Sequence, residues 1–85
     1  MLKRGQVVRS AAGHDKDSFY VVVRVEADGY CAIADGKRRK LERPKRKNPR
    51  HLRPTREWVE LTDIASDRAL RRLLASLRPQ EPEQE

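Results

Sequence analysis

The chain has 85 residues, enough for one small domain but too few to enclose a large active site. Its 20 Lys and Arg against 13 Asp and Glu leave a formal charge of +7, and this basic balance points to a polyanionic partner, nucleic acid first. No apolar run exceeds five residues, which excludes a membrane-spanning helix, and the single cysteine, Cys31, excludes an internal disulfide.

The first half reads as strands and turns. Gln6 to Ser10 is a short strand carrying Val7 and Val8, and AAGHDKD with Gly13 is a polar loop. FYVVVRVE, from Phe19, is β-branched and aromatic. Strict alternation sets Val21, Val23 and Val25 on one face, sharing a core with Ile33, and Val22, Arg24 and Glu26 on the other. Asp28-Gly29 supplies a tight turn, YCAIA a third strand with Cys31 and Ile33 on one face, and Asp35-Gly36 a second turn. Lys37 to Leu41 is expected as a charged edge strand. ERPKRKNPR, with Pro44 and Pro49, is expected as an extended basic loop, and His51 to Arg53 as a short closing strand before Pro54.

The last third changes character. Ser66 is a candidate N-cap, Asp67 complements the positive helix end, and Ala69, Leu70, Leu73, Leu74 and Leu77 recur at helical spacing. A helix over about 66–77 is too short to persist alone. Its leucines are therefore expected to pack on the barrel, with Trp58 in or near the contact. Pro79 stops it, and the acidic tail 79–85, with no apolar residue, is expected to be disordered.

Charge follows the same division. Residues 37–56 hold 11 basic side chains against one acid, Glu42, whereas residues 59–85 hold 4 basic and 6 acidic ones. So local a concentration argues for a binding surface. No nucleophile–base pattern or phosphate-binding glycine loop occurs, and His14 and His51 lack ligand partners at metal spacing. No catalytic residue, metal or cofactor is expected, and Asp15, Asp17, Asp28 and Asp35 read as turn residues.

GQVVRSAAGHDKDSFYVVVRVE, with Gly5, Val7, Gly13 and the valine-rich strand, resembles a KOW motif. The loop GHDK, the IADG turn and the run KRKNPRHLRPT, in that order, make residues 1–56 similar to bacterial KOW-domain RNA-binding proteins, and through them to the "fourteen-e" family of large ribosomal subunits. The resemblance implies an SH3-like barrel that binds RNA, commonly ribosomal RNA; the domain is expected over 1–58, and the change of composition sets a C-terminal segment over 59–78 after it. It implies that Gly13, His14 and Lys16 of the first loop face RNA, together with the basic run Lys37, Arg38, Arg39, Lys40, Lys45, Arg46, Lys47, Arg50, His51 and Arg53. Many relatives have glycine after the loop lysine; here Asp17 and Ser18 follow, and a carboxylate at that place repels phosphate.

The expectation is therefore a mostly-β, SH3-like (KOW) barrel with one short C-terminal α-helix. It acts without catalysis as an RNA-binding protein in ribosome assembly or translation. Its partners are ribosomal RNA and ribosomal proteins, and the free chain is a monomer. The opening MLKRGQVVRS lacks the apolar stretch of a signal peptide, so a cytoplasmic, ribosome-associated location is expected. The alternative is a protein-interaction module docking on a ribosomal or transcription partner through the barrel and the leucine helix.

Overall fold

The structure, a computed structural model, describes residues 2–11, 13 and 17–77. Among them are five strands: β1 Gln6–Ser10, β2 Phe19–Val25, β3 Cys31–Ala34, β4 Lys45–Lys47 and β5 Leu52–Trp58. They form one antiparallel sheet in the order β4-β3-β2-β1-β5, and a helix, α1, follows at Asp67–Leu77. The expected class, mostly β with one short C-terminal helix, is the observed one. Among the described residues no helix is long and apolar enough to cross a membrane.

The sheet has to be rolled. Its two edges, β4 and β5, are consecutive in the chain and joined through a 3-10 turn at Pro49–His51. A flat sheet would place strands four spacings apart at about 19 Å. The five Cα steps from Lys47 to Leu52 reach at most about 18 Å when extended, and less through a 3-10 turn. The edges therefore curl toward each other, and the fold is barrel-like.

Two strands differ from expectation. Lys37 to Leu41 is a turn segment, and β4 lies instead within the expected loop, at Lys45–Lys47. Pro44 and Pro49 bracket this strand without interrupting it, and β4 pairs only with β3. The closing strand runs through Pro54 to Trp58, because β5 pairs only with β1 and an edge strand tolerates a missing amide donor.

The valine register also needs correction. Val21 sits in a cluster with Val7, Ala34, Val59, Leu70 and Leu74, against which Val23 packs. Val22 belongs to a second cluster with Val8, Tyr20, Cys31, Ile33 and Leu52. Ile33 thus shares its core with Val22, and Val25 is 39% exposed. A register shift between Val22 and Arg24 inserts a bulge, and beyond it Arg24 pairs with Ala32 and Val25 with Cys31. One extra residue reverses the inside–outside phase of everything after it.

Both faces of the central strands are consequently buried: one lines the rolled interior, and α1 covers the other. This is why FYVVV is continuously apolar. Ser66 caps α1, its Oγ accepting the Ala69 amide at 3.1 Å. Leu70 and Leu74 are buried and Leu73 packs beside them, while the side chain of Leu77 and the tail 79–85 lie outside the described residues. Trp58 lies beside this contact without being buried in it: it is 55% exposed and borders a cleft with Val59 and Leu61, and Val59 fills the core at 6%. Adjacent residues of an extended chain point oppositely, so seating Val59 turns the indole outward.

Candidate functional site

The most basic segment leaves β3 at Asp35. Its Oδ1 accepts the amides of Lys37 and Arg39, each at 2.9 Å, and the Arg39 carbonyl accepts the amides of Asp35 and Gly36, each at 3.0 Å. Gly36 takes φ +80° and lies so close to α1 that a Cβ would fall on the Asp67 carbonyl oxygen. Past the turn, the Leu41 amide donates to Asp67 Oδ1 at 2.6 Å, and Leu41 packs into the helix-side cluster. The backbone is thus held at both ends of the turn, while the side chains of Lys37, Arg38, Arg39 and Lys40 are all exposed.

The middle of the basic run is engaged differently. Lys45 is half-buried and Lys47 is buried. Arg46 donates through Nε to Glu26 Oε1 at 3.2 Å, pairs with the Asp28 carboxylate, and lies 3.9 Å over the Tyr30 ring centroid. These three side chains belong to an edge strand, and Arg46 has two carboxylates and an aromatic ring as partners.

The corner between β4 and β5 returns cations to the surface. Asn48 accepts the Arg50 amide at 2.9 Å through its side-chain oxygen and donates to the Tyr30 hydroxyl at 3.1 Å. Pro49 opens the turn, and Arg50, His51 and Arg53 are exposed. The His51 carbonyl accepts the Ala11 amide at 2.8 Å, fastening this corner to the first loop.

Only the ends of the first loop and Gly13 are described. Gly13 is exposed at φ +89°, while His14 and Lys16 lie outside the described residues. Asp17 takes φ 72°, with its amide donating to the Ser10 carbonyl at 2.7 Å. Its carboxylate is paired with Arg9 Nη1 at 2.6 Å. Asp17 and Phe19 line a groove of about 480 Å³ together with Asp35, Lys37, Arg71 and Leu74. The described ends of the first loop thus meet the two basic segments: Asp17 shares the groove with Lys37, and Ala11 is hydrogen-bonded to His51.

Arg71 was not among the residues expected at the site. As an arginine off the leucine stripe it carries a sequence signal, but only the seating of α1 beside Lys37 brings it to the groove. Away from this end, Cys31 is fully buried, and burial first, then the charge of Glu26, pushes its thiol pKa up. The chain matches no model of a known protein family and no curated protein.

Proposed function

We propose that this protein binds RNA, with ribosomal RNA the first candidate, and acts without catalysis in ribosome assembly or translation. The observation that carries this reading is that two hydrogen-bonded backbone segments, one beside Asp17 and the other bonded to Ala11, present Lys37, Arg38, Arg39, Lys40, Arg50 and Arg53 to solvent. Cations on a fixed backbone neutralise phosphates with little ordering cost, and arginine adds forked hydrogen bonds. Asp17, the first acid after the loop lysine, is paired with Arg9. The resemblance of residues 1–56 to KOW-domain RNA-binding proteins supports the same reading. The protein-docking alternative is disfavoured because Leu70 and Leu74 are covered by the chain's own sheet.

Salt dependence tests the proposal. If about four phosphates of a duplex-like RNA are contacted, log affinity falls against log salt with a slope of roughly −3 to −4. Replacing Arg38, Arg39, Arg50 and Arg53 together by Ala should flatten that slope and weaken binding at low salt. An unchanged slope and affinity in this variant would rule out the loop end as the RNA surface.

A further inference from the structure

We propose that Trp58 is a stacking platform for an unpaired base, so that single-stranded RNA runs along the edge strand β5 and is gripped at that strand's far end. This rests on the RNA-binding reading and adds a second, chemically different contact to it. Trp58 is the chain's one tryptophan, and it stands 55% exposed outside both apolar clusters.

The indole is exposed, yet its backbone is held. Trp58 pairs with Gln6, the following Val59 amide donates to the Gly5 carbonyl at 2.7 Å, and the Gly5 amide donates to Val22 at 2.7 Å. Gly5, at φ +92°, lets the two backbones close on each other, since a Cβ there would lie 2.7 Å from the Val59 carbonyl oxygen. The ring borders a cleft of about 340 Å³ shared with Arg4, Gly5, Val59, Glu60 and Leu61. Arg4, exposed, is oriented by its Nε bond to the Val23 carbonyl at 3.2 Å.

The charge around the ring selects the occupant. Arg4 lines the cleft and exposed Arg56 lies two residues before the ring on β5, against the acids Glu57 and Glu60. An exposed aromatic face beside Arg4 and in line with Arg56 and Arg53 of β5 fits a base with its phosphates, because every base has a stacking face and every linkage carries a negative charge. The exposed side chains of β5, Arg53, Pro54, Arg56 and Trp58, connect this end to the basic corner. An apolar peptide would gain nothing from the cations.

A lone tryptophan makes the test direct. The full chain is titrated with a short dye-labelled oligouridine and, separately, with a blunt RNA duplex of equal length, following dye anisotropy and tryptophan emission. Expected is binding of the single strand with quenching of Trp58 at the same midpoint, and binding of the duplex without quenching. W58A should lose at least about 5-fold in affinity for the single strand and none for the duplex, and W58F should retain most of it. Anisotropy without quenching, or an unchanged W58A, would overturn the platform and leave the loop-end interface standing. Failure of both RNAs to bind would overturn both. A concentration-dependent emission shift without RNA would assign the ring to contact with a second copy and overturn the platform.

Discussion

Cys31 shows how one position couples burial to chemistry. Its thiol is enclosed by the inner cluster, with Glu26 nearby, and its pKa is raised above the ordinary value near 9.0. Below that value the thiol is neutral in both folded and unfolded chains. Above it the unfolded chain ionises first, so the unfolded state gains and stability falls as pH climbs toward the folded pKa. Cys31→Ala lacks this component, so its stability should decline less than wild type between pH 8 and pH 10 in urea titrations. Equal declines would show that the thiol takes no part. Val22 and Val25 make a second contrast. A carboxylate at Val22, which has no exposed surface, would be buried without a partner, whereas one at Val25 reaches water. Thermal melts should show Val22→Asp largely unfolded and Val25→Asp cooperative; the reverse order would place the bulge elsewhere.

At the scale of elements, α1 covers the cluster around Val21 with Leu70 and Leu74. Without it, Val7, Val21 and Ala34 would face water on the outer side of the sheet. Leu70→Ala should cost about 2–5 kcal/mol, and so lower the melting temperature by at least about 8 °C. A melt within 2 °C of wild type would mean that the helix contributes little. Asp67 gives the same helix a second fastening through the Leu41 amide. The helix and the turns were legible from the sequence because their signals are local: the Ser66 cap, the leucine spacing and the Asp-Gly pairs act within a few residues. The edge strands were not. Whether KRK pairs depends on β3 lying alongside it, and prolines that argue against a central strand are compatible with an edge.

Across the whole molecule, the charge divides into two populations. The cations of the Lys37–Lys40 turn and the Arg50–Arg53 corner are exposed, while Arg46 is paired and Lys47 is buried. Salt should therefore act unequally on binding and folding. Under the RNA-binding proposal, affinity for RNA should fall steeply between low and physiological salt, whereas the melting temperature should change little, since the apolar clusters are insensitive to screening. A melting temperature that dropped in parallel with affinity would show that the same charges hold the fold. Composition and short-range pattern alone determined the basic concentration in 37–56, the β-rich first half, the capped helix and the absence of a disulfide. These depend on residues close in the chain or on simple counts. Tertiary structure decided which valines face which core, which cations remain exposed, and that the single tryptophan lies outside. Those outcomes turn on partners such as Glu26 for Arg46 or Leu70 for Val21, which lie 20 or more positions away and meet only when the sheet rolls and the helix closes over it.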